Sequence, residues 1–97
     1  MLYSDVQFAW SGDALDTLPT DVEPHQVMRA LAESRLLRRW LSEEVLALFG
    51  LSPDGLYLVV FVTEDELDDD RYIIEGARQM FPGEVRQYQN RFGGRDD

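Results

Sequence analysis

The seven-residue run Leu56 to Val62 (Leu-Tyr-Leu-Val-Val-Phe-Val) restricts this chain more than any other feature. It is rich in β-branched and aromatic residues, and its apolar side chains fall on both faces, which predicts a central strand covered on each side. A bilayer span needs roughly 20 apolar residues, so the run belongs to a core. Just before it, Gly50 to Gly55 (Gly-Leu-Ser-Pro-Asp-Gly) carries the chemistry of a tight hairpin connection. Upstream, Leu37 to Leu41 around Trp40 and Val45 to Phe49 read as two further strands, with Ser42, Glu43 and Glu44 between them.

The flanks supply neighbours and cover. Residues 3 to 10 alternate, with Val6, Phe8 and Trp10 on one face, and predict a first strand ended by Ser11, Gly12 and Asp13. Ala14 to Leu18 has room for one or two helical turns before Pro19. Pro24 stands at a first helical position, and Val27, Met28, Leu31 and Ala32 form one stripe, so 24–34 is predicted helical. Glu64 to Asp70 holds six acids in seven positions and reads as an exposed hairpin loop. Tyr72, Ile73 and Ile74 make a strand of Arg71 to Glu75, broken at Gly76. A last helix begins near Pro82, with Glu84 in its first turn and Val85, Tyr88 and Phe92 on one face, and stops at Gly93. The expectation is a single α+β domain over 1–92, a small antiparallel sheet with its helices packed on one face, and a flexible tail over 93–97.

Composition narrows the chemistry. In 97 residues there is no cysteine and one histidine, which removes disulfides, thiol nucleophiles, zinc ribbons and two-histidine metal sites, and no cofactor is expected. Leu2 and Tyr3 follow Met1 without a basic patch or an apolar core, so no signal peptide is expected and the cytoplasm is the default compartment. A net charge of −10 repels polyanions; it suits a basic partner protein, or serves solubility alone.

One resemblance runs through most of the chain. Phe8-Ala9-Trp10, Trp40-Leu41, Ala47-Leu48-Phe49-Gly50 leading into Leu56 to Val62, Ile73-Ile74-Glu75-Gly76-Ala77-Arg78-Gln79-Met80, and Glu84 to Tyr88 occur in an order that resembles the BrnT-type toxins of bacterial toxin–antitoxin systems. The resemblance implies a RelE-like fold and a metal-independent endoribonuclease acting on RNA, neutralised by a DNA-binding antitoxin partner. It implies attack of the RNA 2′-hydroxyl on the adjacent phosphate, helped by a general base, a general acid and a cation. The chain departs from the family at two places: Pro19, Thr20, Asp21 and Val22 stand where the family has a basic Arg-Lys-His-Gly segment, and Leu51 stands where an arginine often follows the strand-ending glycine.

Each candidate residue has a structural alternative. Arg78 matches the family arginine and suits a phosphate at a strand end; the alternative is an ion pair with Glu75 or Glu84. Glu84 and Tyr88, four residues apart, suit general-base work; the alternative is a dipole-satisfying acid and a core tyrosine. His25, in the first helix, is a candidate general acid or a plain surface histidine. Arg35, Arg38 and Arg39 around Trp40 form the densest basic patch, either facing RNA or an antitoxin, or guarding a sheet edge while Trp40 fills the core. Arg86 and Arg91 extend a basic strip or belong to a solvated helix face. Three functions stand side by side: a ribonuclease toxin, a toxin-derived protein-binding module that has lost cleavage, and an acidic polyanion mimic. A homodimer is among the open assemblies.

Overall fold

In the computed structural model, residues 7–92 are described, apart from the side chains of Asp68 and Asp69. The expected strand over 3–10 is seen only as β1 (Gln7–Trp10), its first residues and the tail at 93–97 lying outside the described residues. The chain then continues through a short 3₁₀ turn (Leu15–Thr17), α1 (Pro24–Glu33), β2 (Leu37–Trp40), β3 (Leu46–Leu51), β4 (Tyr57–Asp65), β5 (Asp68–Gln79) and α2 (Pro82–Phe92).

These elements form the expected α+β arrangement around one five-stranded sheet, ordered β1-β5-β4-β3-β2. β2 to β5 are a meander of antiparallel neighbours. β1 joins the free edge of β5 in parallel, Phe8 opposite Tyr72 and Trp10 opposite Ile74, so the sheet is mixed where an antiparallel one was expected.

Strand parity decides where the helices go. Leu58, Val60 and Val62 of β4 share a face with Leu46 and Leu48 of β3, and Val27, Ala30 and Leu31 of α1 close over them. The intervening residues, Val59 and Phe61 with Ala47 and Phe49, face the other way and are covered by Val85, Tyr88 and Phe92 of α2. The helices therefore lie on opposite faces, not on one. An apolar β4 leaves no other solution, since each buried aliphatic side chain contributes roughly 1.5–3 kcal/mol and an uncovered face would forfeit that.

Local chemistry sets the boundaries. α1 starts at a capping box: Gln26 accepts the Glu23 N–H at 2.9 Å while the Glu23 side chain receives the backbone N–H of the third helical residue, and Pro24 opens the helix. Gly76 does not break the last strand. Phe61 pairs with Gly76 and Val62 with Ile74, which leaves Glu75 as an extra residue in a β-bulge, and β5 runs on to Gln79. The acidic segment is indeed a hairpin tip, but its limbs are strand: Asp65 opposes Asp68, and only Glu66 and Leu67 lie between them. No helix among the described residues is long and apolar enough to cross a membrane.

Candidate functional site

Arg78 sits near the end of β5, opposite Val59 and on the face that α2 covers. Met80 and Phe81 turn the chain into α2, which packs on β3 and β4, and Glu84, in its first turn, comes to face Arg78. The two side chains meet end to end. Arg78 Nη1 donates to Glu84 Oε1 at 2.8 Å and Nη2 to Oε2 at 3.0 Å. Nη1 also donates to the Gln79 carbonyl at 3.1 Å, and the guanidinium lies over the rings of Phe81 and Phe61, 4.1 and 5.6 Å from their centroids.

Glu84 has a second task. Its Oε1 accepts the Phe81 backbone N–H at 2.8 Å, which satisfies a donor that the helix start would otherwise leave unpaired. The Arg78 guanidinium, aided by this N–H, holds the Glu84 carboxyl below its ordinary value even though burial opposes it. The same pairing raises the already high pKa of Arg78. Glu84 is thus a poor proton acceptor, and the arginine spends its paired donors on a carboxylate where a ribonuclease needs them on phosphate. Glu75, the other ion-pair candidate, accepts from the Thr63 hydroxyl at 2.9 Å instead.

Tyr88, one turn on, points elsewhere. It is buried, meets Tyr57 edge-on and Phe92 at 4.9 Å between centroids, and its hydroxyl donates to the Arg35 carbonyl at 2.7 Å. Burial pushes its phenol up, so it stays protonated and structural at neutral pH. His25 is exposed in the first turn of α1, on the opposite side of the sheet from α2. The four residues named for catalysis therefore do not converge: Arg78 and Glu84 hold each other, Tyr88 anchors the helix, and His25 lies across the sheet.

The arginines named for RNA binding divide between faces. Arg39 opposes Ala47 on the α2 side, lies 5.6 Å over the Phe49 ring and donates to Gln87 at 3.0 Å. Arg38 and Trp40 oppose Leu48 and Leu46, on the α1 side. Trp40 remains 47% exposed at this sheet edge, so it does not fill the core. Arg35 and Arg91 both lie over the Phe92 ring, at 5.9 and 5.5 Å, and Arg86 is exposed on α2. Among the described residues, Arg29, Arg71 and Arg78 have carboxylate partners, while Arg35, Arg38, Arg39, Arg86 and Arg91 do not. A net charge of −10 thus coexists with a belt of unpaired guanidinium groups along β2 and α2.

Beside this belt lies a feature that sequence reasoning missed, a cleft of about 620 Å³ at the start of β4, walled by Tyr57, Tyr88, Phe92 and Leu51 with Arg35 at its rim. Its polar groups are internally satisfied: Gln89 donates to the Tyr57 hydroxyl at 3.0 Å, and Ser34 Oγ donates to the Ala30 carbonyl while accepting the Leu51 N–H. Tyr88 and Phe92, spaced one helical turn apart, carry a trace of it in the sequence, but Tyr57 enters only through the fold. Compared with known proteins, the chain matches no family model, no curated protein and no solved structure.

Proposed function

We infer that this chain is a divergent BrnT-type toxin scaffold that no longer cuts RNA and acts by binding a protein partner. The observation that carries this reading is the two-pronged Arg78–Glu84 pair. Cleavage through the 2′-hydroxyl requires a cation free to neutralise the phosphate oxygens and a base with an available lone pair. Here each of these groups is consumed by the other, and the Phe81 ring covers the guanidinium. What remains is a small, strongly charged domain with an aromatic cleft, an exposed edge strand and an acidic hairpin, features that suit protein contacts.

The test is co-expression with the products of adjacent reading frames. A stable complex with one of them supports the reading, and failure to form a complex with any of them refutes it. A second reading, residual RNA affinity, is favoured by one observation, the unpaired Arg35, Arg39, Arg86 and Arg91 around α2. It predicts salt-sensitive binding of unstructured RNA that weakens with each arginine removed.

A further inference from the structure

The two edges of the sheet are defended differently. β2, at one end, carries Arg38 and Arg39, both exposed, so a second β2 laid beside it meets like charge. β1, at the other end, reads Gln-Phe-Ala-Trp and is followed by Ser11, a neutral stretch in a chain of net charge −10. It holds no proline, its register against β5 is unbroken, and among the described residues no strand pairs with its outer side.

The ladder decides which groups this edge offers. The Ser11 N–H donates inward to the Ile74 carbonyl at 2.9 Å. Alternate residues of a strand bond the same neighbour, so Gln7 and Ala9 also turn their amides to β5, and the N–H and C=O of Phe8 and Trp10 point outward. The side chains of Phe8 and Trp10 lie half-buried on the α1 face, Phe8 stacked on Tyr72 at 5.9 Å between centroids. Ala9, between them, faces the other side, where α2 reaches β3 and β4 but not β1. After Trp10 the chain turns inward over the sheet, since Val22 joins the core and Asp21 accepts from Gln79 of β5. That path leaves the outer side of β1 clear of the described residues.

We propose that β1 pairs antiparallel with β1 of a second copy about a two-fold axis at Ala9, joining the two sheets into one. The occupant follows from the strand's self-complementarity. With Ala9 on the axis, Phe8 opposes the partner's Trp10 and Trp10 opposes the partner's Phe8, and these are the positions whose outward amides exchange bonds in an antiparallel pair. The same register sets aromatic rings side by side on one face, a favourable cross-strand pair. On the other face the smallest side chain of the strand, Ala9, meets its own copy. Gln7 falls opposite the partner's Ser11, so no like charges meet along the ladder. The contact is isologous and closes at two. So short a strand buries less than the roughly 1,200 Å² of a standard interface, and the dimer dissociates on dilution. The charge of −10 on each copy opposes association, so salt strengthens it.

The proposal is independent of whether the chain cuts RNA or binds another protein, and cross-linking tests it. Opposed residues at a non-hydrogen-bonded position stand about 4.5 Å apart at Cα, within the roughly 4.4–6.8 Å that a disulfide spans, and the chain has no cysteine of its own. With oxidised glutathione, Ala9→Cys is expected to form a covalent dimer at concentrations where Gln7→Cys, displaced from the axis, does not. An equal mixture of Gln7→Cys and Ser11→Cys is expected to cross-link one variant to the other. Sedimentation velocity reads the uncross-linked protein. Wild type is expected to reach the dimer at lower concentration in about 1 M than in about 0.1 M salt, as the Debye length falls from roughly 10 to 3 Å. Ala9→Lys sets two ammonium groups across the axis and is expected to weaken the dimer at least about tenfold while keeping the wild-type circular dichroism. A wild-type chain that stays monomeric at every concentration, an Ala9→Cys chain that cross-links no faster than Gln7→Cys, a mixture that does not cross-link, or a dimer that salt dissolves or Ala9→Lys leaves intact overturns the proposal.

Discussion

Arg78 and Glu84 share two parallel hydrogen bonds, 2.8 and 3.0 Å long, across the turn that joins β5 to α2. The pair fastens the helix to the strand before it, and the 2.8 Å bond from Phe81 N–H to the same carboxylate makes Glu84 both ion-pair partner and helix cap. Removing it therefore breaks two interactions. Glu84→Ala is expected to destabilise the protein by about 1–2 kcal/mol. A double-mutant cycle with Arg78→Ala should return a coupling of about 1 kcal/mol by urea denaturation, whereas independent effects would mean that the two side chains do not interact in solution.

Acid should weaken the same contact. The folded protein holds the Glu84 carboxyl below its ordinary value, so the pair contributes stability above the unfolded carboxylate's pKa and loses it as pH falls through the lower, folded value. Asp65, Glu33 and Asp54 are shifted in the same direction. The melting-temperature gap between wild type and Glu84→Gln should be constant near neutrality and close as the pH falls below about 4–5. A gap that persists at pH 2, roughly two units below the ordinary carboxylate range, would remove the ionic explanation.

Tyr88→Phe is expected to cost about 1 kcal/mol, because the Arg35 carbonyl loses its donor while the ring contacts remain. The alkaline limb gives a second readout. Burial raises the phenol's pKa in the folded state, so its contribution is complete below the unfolded value and declines as pH rises past about 10. The phenylalanine variant should lose less stability over that range than wild type does.

Two glycines should respond very differently to alanine. A Cβ at Gly50 would stand 2.8 Å from Ser34 Oγ and 2.9 Å from Leu36 Cδ2. Ser34 cannot easily yield, being bonded to the Ala30 carbonyl at 2.7 Å and the Leu51 N–H at 3.1 Å. Gly50→Ala should therefore cost about 1–3 kcal/mol by the shift in urea midpoint. At the bulge, a Cβ on Gly76 meets nothing within 4 Å, and Gly76→Ala should change stability by less than about 0.5 kcal/mol.

These outcomes separate what was legible in the sequence from what was not. Strands β3, β4 and α1 were readable because their signals are local: aliphatic runs, a Pro-Asp-Gly turn, a proline opening a helical stripe. The apolar residues on both sides of Leu56 to Val62 already called for a helix on each face, and the expectation of one covered face overlooked that requirement. The parallel pairing of β1 with β5 and the bulge at Glu75 depend on partners more than ten residues away and left no local mark. Arg78 was readable as an important residue. Its commitment to Glu84 was not, since Met80, Phe81 and Pro82 intervene and the angle of their turn decides whether the side chains meet. The stretch around Arg38 was legible as an edge strand, but Trp40 was misplaced because that strand has a neighbour on one side only.

The most direct measurement of the central claim is degradation of unstructured RNA by purified protein in excess chelator, with wild type and Arg78→Ala side by side. On that claim neither degrades RNA above background, because the guanidinium and the Glu84 carboxylate serve each other. Cleavage by wild type that disappears in Arg78→Ala would show that the pair opens to admit a phosphate, and would contradict it.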